Sequence, residues 1–91
     1  GLVVREMTPE EIAEMNLSPG KHGVMVTGIE PGSPAEASGV QRGDVLLSVN
    51  DREINSSSDY MAIAKKIKKG DFVRLFLKRQ DTTIFAAFRR P

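Results

Sequence analysis

One histidine, no cysteine and no Gly-x-Ser-x-Gly stretch leave this chain poorly equipped for bond-breaking chemistry. A hydrolytic site needs a nucleophile, a base and a stabilised oxyanion converging on one pocket. His22 falls in Pro19-Gly20-Lys21-His22-Gly23, a flexible loop ahead of a strand, and reads as a solvated loop residue. Ser56-Ser57-Ser58 reads as the entry to a helix. Glu10, Glu11 and Glu14 fall on the first turn and solvent face of another helix, whose positive end favours them. No spacing suggests metal ligation, so the sequence predicts no catalytic residues, no metal and no cofactor. Arg42-Gly43-Asp44 spells a cell-adhesion tripeptide, but Gly43 and Asp44 are needed for a turn into a buried strand. Lys65, Lys66, Lys68 and Lys69 crowd a helix end, where they offset its negative pole. With no aromatic residue among them and a net charge of +1, nucleic acid is not an expected partner.

The composition is that of an ordinary globular protein. Ninety-one residues, 40% of them apolar and 27% charged, suit one globular domain spanning residues 1–91. The apolar runs are far below membrane-spanning length, and no signal-peptide pattern is present. Because the chain opens directly in the strand-like Leu2-Val3-Val4, it reads as a domain excised from a longer protein.

Leu2–Arg5 reads as a short strand. Thr8-Pro9-Glu10-Glu11 combines a capping box with proline at the first helical position and starts a helix over 9–16. Ile12, Met15 and Leu17 mark its buried side, and Ser18-Pro19-Gly20 ends it. Residues 23–29 alternate Val24, Val26 and Gly28 against Met25, Thr27 and Ile29, a strand pattern. Ser33-Pro34 starts a miniature helix that Gly39 stops, and Gly43-Asp44 turns the chain into the apolar strand Val45–Val49. Asn50-Asp51 makes a tight turn into Arg52-Glu53-Ile54. A second long helix is expected over 56–69, with Tyr60, Ile63, Ala64 and Ile67 on one face and Gly70 as its stop. Phe72–Arg79 and Thr82–Arg89 form a hairpin about Gln80-Asp81. That register pairs Leu77 with Ile84, Leu75 with Ala86 and Val73 with Phe88 on one face, and Phe76 with Phe85 on the other. The Phe76–Phe85 pair is either an ordinary cross-strand contact or an apolar patch for docking on a neighbouring domain. The expected fold is α+β: a small, partly open β-barrel or sandwich of five to six strands with two main helices.

The order of pieces in Pro31–Asn50, PGSPAEASGVQRGDVLLSVN, resembles the signature of a PDZ domain. The opening strand followed by MTPEEIAEMNL, and the strand GVMVTGIEPGSPA, resemble the bacterial, circularly permuted kind found in HtrA-type (Deg-type) serine proteases, most like the last PDZ domain of a two-PDZ protein. The resemblance implies a non-catalytic module whose serine-protease triad lies in a domain outside this chain. It implies that the free C-terminus of a peptide, or an extended hydrophobic segment, is taken as an added strand between a sheet edge and a helix. Consecutive backbone N–H groups in a glycine-containing loop would catch the terminal carboxylate.

By that match Gly1, Leu2 and Val3 are the carboxylate-binding loop, and the residue before Gly1 would complete its hydrophobic-Gly-hydrophobic pattern. Leu2–Arg5, with Val4 and Arg5, would be the edge that pairs with the ligand. Tyr60, Ala64 and Ile67 would form the opposite wall, with Met61 and Lys68 at its rim; Tyr60 and Ile67 read equally well as core. The small Ala64 leaves room for an apolar last residue such as Val, Leu, Ile or Phe. The implied setting is substrate recognition or regulation of an envelope or periplasmic quality-control protease, with the isolated domain monomeric. The rival within the family is a docking or scaffold domain that packs on the protease or a sibling PDZ domain and binds little peptide itself. Permuted PDZ domains of tail-specific proteases, intramembrane site-two proteases and secretion scaffolds are further rivals.

Overall fold

A computed structural model describes all residues, Gly1–Pro91. Six antiparallel strands form one open sheet: β1 (Leu2–Arg5), β2 (Val24–Ile29), β3 (Val45–Val49), β4 (Arg52–Glu53), β5 (Phe72–Arg79) and β6 (Thr82–Arg89). Their order is β1-β2-β3-β5-β6, with the two-residue β4 pairing beside β3. Three helices accompany them: α1 (Pro9–Glu14), α2 (Pro34–Ala37) and α3 (Ser57–Lys66). β1 and β6 are the two edges, yet Leu2 and Phe88 line one cavity, so the sheet curls until its ends face each other. That curl is the partly open barrel expected from the sequence, and one layer of Val24, Val26, Leu46, Val49, Leu75 and Leu77 fills it.

Two bulges correct the simple alternation. The β1–β2 register runs Leu2↔Ile29 and Val3↔Gly28, then skips to Val4↔Val26, leaving Thr27 as the extra residue. A bulge turns the pleat over, so Ile29, rather than Gly28, packs with Val24 and Val26 on the core. Thr27 closes the irregularity by donating from Oγ1 to the Val3 carbonyl at 3.2 Å. A second skip between Leu46 and Ser48, opposite Leu77 and Phe76, puts Leu46 and Val49 on one face although three residues apart. The β5–β6 hairpin has the expected register throughout, including Phe76↔Phe85, whose rings meet edge to face at 4.7 Å.

The helices are shorter than their sequence patterns. Both halves of the Thr8–Glu11 capping box are present, but α1 ends at Glu14, and Asn16 turns left-handed at φ 56°. α3 starts after Ser56, whose hydroxyl accepts the Asp59 N–H at 3.0 Å, and stops at Lys66 instead of Lys69. Ile67 is already extended at φ −82° and ψ 120°. The physical cause is Asp71: its carboxylate accepts the Lys68 N–H at 2.8 Å while its own N–H donates to the Lys68 carbonyl at 3.0 Å. A tight turn thus replaces the last helical turn, and Gly70, at φ 88°, serves that turn and not the helix end.

The segment Pro31–Asn50 is held by a buried acid. Asp44 is 1% exposed and is gripped at both oxygens by Arg79, from Nε at 2.7 Å and Nη2 at 2.8 Å. Asp44 also accepts the Gln41 N–H at 2.9 Å, and Arg79 donates to the Gly39 carbonyl at 2.9 Å. One ion pair therefore ties the turn after α2 to the end of β5. Such charge-assisted, forked bonds are the strong ones, and the Asp44 carboxylate raises the Arg79 guanidinium above its usual range. Asp44 is thereby unavailable as part of an adhesion tripeptide. His22 differs from a solvated loop residue: it is half-buried, its N–H donates to Asn55 Oδ1 at 3.1 Å, and its Nδ1 lies 2.8 Å from the Gly23 carbonyl.

Two glycines separate conformational from steric need. Gly23 has φ 75°, and a Cβ there would come within 2.3 Å of the Leu46 carbonyl oxygen; Gly39 has φ 102° and open space. Backbone strain at such φ costs about 1–3 kcal/mol, so Gly39→Ala should lower stability by about that amount. Gly23→Ala should cost distinctly more, because the neighbouring strand must also move. Urea unfolding of both variants checks this, and equal losses would contradict it.

Candidate peptide-binding groove

β1 pairs with β2 along one side only, so its other backbone edge is unoccupied. α3 runs beside that edge, and between them lies a cavity of about 390 Å³. Leu2 from β1 and Tyr60, Ala64 and Ile67 from the α3 side line it, over a floor that includes Val49, Val73 and Leu75. The β1 wall is apolar because the strand pleat turns Leu2 inward, where it is half-buried against the core; Val4 takes the same face one pleat further on.

Polar contacts fix where α3 stands. Glu6, just beyond β1, accepts the Ser57 N–H at 2.6 Å through Oε1, placing an anion at the positive end of α3. The Asn55 N–H donates to Asp59 Oδ2 at 3.0 Å. At the opposite end the Arg90 guanidinium donates to the Ile67 carbonyl. Burial pushes the Tyr60 phenol above its usual pKa, and the nearby Leu2 backbone offsets only part of that rise.

The expected site residues fall into two groups. The cavity brings together Gly1, Leu2, Tyr60, Ala64 and Ile67. Ile67 gets there as the extended residue after α3, not as its last helical turn. Val3 is 61% exposed opposite Gly28, and Val4 packs toward Val26, outside the cavity. Met61 is 54% exposed and Lys68 is exposed, both away from the lining. Arg5 is held by Glu11, with Nη1–Oε1 and Nη2–Oε2 separations of 2.8 and 2.7 Å. Phe88, Pro34, Ala35, Glu30 and Arg90 also line the cavity and were not expected there. The hairpin register signalled Phe88, since it puts that ring on the face of Val73. Nothing local in the sequence signals Arg90.

This architecture, a curled antiparallel sheet with a free edge facing a helix across an apolar cleft, is that of a peptide-binding PDZ fold. The family described as PDZ domain matches residues 3–87, and the chain belongs to it. A probable periplasmic serine endoprotease, DegP-like, of Chlamydia pneumoniae is 28% identical over 89 residues, covering 98% of this chain and 18% of that protein. The mitochondrial serine protease HTRA2 of Drosophila erecta is 37% identical over 95 residues, covering 92% of this chain and 22% of that one. The chain thus spans about a fifth of the curated relatives it matches and corresponds to their non-catalytic PDZ portion. Among solved structures, the HtrA3 PDZ domain bound to a phage-derived ligand, FGRWV, superposes with a TM-score of 0.77 at 25% identity, covering 98% of this chain and 80% of that one. The HtrA-type protease AlgW with a tripeptide shares the fold at a TM-score of 0.84 and 23% identity, covering 100% of this chain and 31% of that one.

The β1–α1 clamp makes a pH prediction. Glu11 is lowered from 4.5 to about 2, chiefly by the Arg5 side chain and then by the Thr8 N–H. A depressed carboxylate contributes stability that is complete above its unfolded pKa and is lost as pH falls through its folded one. The difference in melting temperature between wild type and Glu11→Gln should therefore be constant above pH 4.5 and shrink toward pH 2. A difference that does not change with pH would contradict the clamp.

Proposed function

We propose that the chain binds the C-terminus, or an extended hydrophobic segment, of a peptide as an added strand along the free edge of β1. The observation that carries this reading is the apolar cavity between Leu2 on that edge and Tyr60 and Ala64 on α3. Main-chain bonds to the edge supply affinity in this mode, and pockets for alternate side chains supply selectivity. Gly1, Leu2 and Val3 would receive the terminal carboxylate, while Val4 and Arg5 continue the pairing edge. The cavity beside Ala64 would take an apolar last side chain. Tyr60, near the start of α3, would meet the residue two before it, with Met61 and Lys68 at the rim.

The peptide-bound HtrA3 PDZ domain supports this reading by likeness of sequence and fold. We place residues 1–91, as one domain, in a longer HtrA-type serine protease, where peptide capture serves substrate recognition or regulation. The periplasmic relatives support an envelope or periplasmic setting. A second reading, docking on the protease or a sibling PDZ domain, is favoured by Phe85, which is 74% exposed beside Phe76.

Ala64→Trp tests the first reading. An indole fills the cavity, so the variant should keep the wild-type circular dichroism spectrum and lose at least about tenfold in affinity for free-acid peptides ending in Val or Leu. A burial of about 1.5–3 kcal/mol for one apolar side chain corresponds to that loss. Unchanged affinity would overturn the placement of the helix wall.

A further inference from the structure

The sheet has two edges, and the groove uses only β1. The other edge, β6, is eight residues long against four for β1, and it pairs with β5 alone. Protein sheets blunt an open edge with short strands, proline, charge or a bulge. β6 has none of these between Thr82 and Phe88. The run TTIFAAF is uncharged, and its register with β5 is unbroken at every pair. An uncharged, proline-free run rich in β-formers is a template for another strand.

Hydrogen-bond parity identifies the free groups. The Arg90 N–H donates at 2.9 Å to the carbonyl of Asp71, at the foot of β5. Alternate residues of an antiparallel strand bond to the same neighbour, so Ile84, Ala86 and Phe88 also face β5. The backbone groups of Thr83, Phe85 and Ala87 therefore point outward, and nothing else in the chain bonds them. β5 agrees: the Arg74 carbonyl, opposite Ala87, accepts the Asn50 N–H from the β3 side. α2 lies toward the core, where Pro34 and Ala35 line the cavity with Phe88. The outer side chains Thr83, Phe85, Ala87 and Arg89 are all exposed.

One register makes this edge complementary to itself. With Phe85 on a two-fold axis against Phe85 of a second copy, Thr83 meets Ala87 and Asp81 meets Arg89. Neither Asp81 nor Arg89 has an ion-pair partner within the chain. The Arg89 guanidinium lies over the exposed Phe72 ring at 4.2 Å, on the same outer face as Phe85. Opposite charges and aromatic rings set directly across strands stabilise a pair. We infer that β6 is a self-pairing edge, which joins two copies of this chain antiparallel in that register and continues the sheet from one into the other. The bonded pairs around the axis supply about six main-chain hydrogen bonds. A dimer thus replaces the monomer expected from the resemblance. It leaves both β1 edges open and is independent of what they bind.

Sedimentation velocity of the chain at concentrations up to about 1 mM tests this. Wild type should pass from monomer to dimer as concentration rises. Phe85→Glu sets two carboxylates face to face at the axis and should raise the dissociation constant at least about tenfold. Asp81→Arg and Arg89→Asp should each weaken the dimer, and the double variant, with the charges exchanged, should pair more tightly than either. Hydrogen exchange at Phe85 and Ala87 should slow as the dimer forms, while Ile84 and Ala86, already bonded to β5, stay unchanged. A wild type that remains monomeric overturns the proposal and leaves this edge to another domain. A dimer indifferent to Phe85→Glu overturns it as well, as does a double variant no tighter than the single ones. So does a dimer that a free-acid peptide ending in Val dissolves while exchange slows along β1, because the pairing edge is then β1.

Discussion

Two apolar walls facing each other across water tend to close, and this structure depends on keeping them apart. Each Å² of apolar surface removed from water contributes about 25 cal/mol, so Leu2 and the Tyr60–Ala64 face of α3 would collapse together if α3 were free to move. α3 has no fully buried residue, and packing alone does not fix it rigidly. Hydrogen bonds at its two ends hold it instead: Glu6 with the Ser57 N–H at the start, Arg90 with the Ile67 carbonyl at the end. Both props originate outside α3, one just after β1 and one just after β6. The width of the cleft is therefore set from the sheet, through residues that adjoin β1 and β6.

The sheet in turn owes its shape to its irregularities. The bulge at Thr27 in β2 puts Ile29 on the side of the sheet that Leu2 and Val4 already occupy by alternation. The bulge at Leu47 does the same for Leu46 and Val49. Bulges increase local twist, and here the sheet curls until β6 contributes Phe88 to the cavity wall opposite β1. The Asp44–Arg79 pair locks the segment between β2 and β3 to the end of β5, on the far side of the core. The shape of the groove thus depends in part on an ion pair outside its lining.

Local chemistry was legible in the sequence. The Thr8–Glu11 capping box, the Ser33-Pro34 start and the Asn50-Asp51 turn all form where their residues said, and the β5–β6 register is correct at every pair. What was not legible came from partners distant in the chain. The bulge at Thr27 reversed Gly28 and Ile29 because strand alternation assumes an unbroken pleat. α3 ended at Lys66 because Asp71 captures the Lys68 N–H, while the lysine-rich run by itself favours more helix. Asp44 read as a turn residue, and only Arg79, 35 positions away, makes it a buried anchor. In the groove, the i, i+4 pair Tyr60 and Ala64 was visible as a helix face. Glu6 and Arg90 carried no local pattern and emerged from the tertiary structure.

Strand addition at the free edge of β1 is the central claim, and an NMR titration of the ¹⁵N-labelled chain with free-acid peptides ending in Val, Leu, Ile or Phe tests it most directly. The account predicts amide shifts concentrated at Leu2–Arg5 and Tyr60–Ile67, with slowed hydrogen exchange along β1, where new main-chain bonds form. Shifts confined to Phe76, Phe85 and their neighbours, with β1 exchange unaltered, would contradict it.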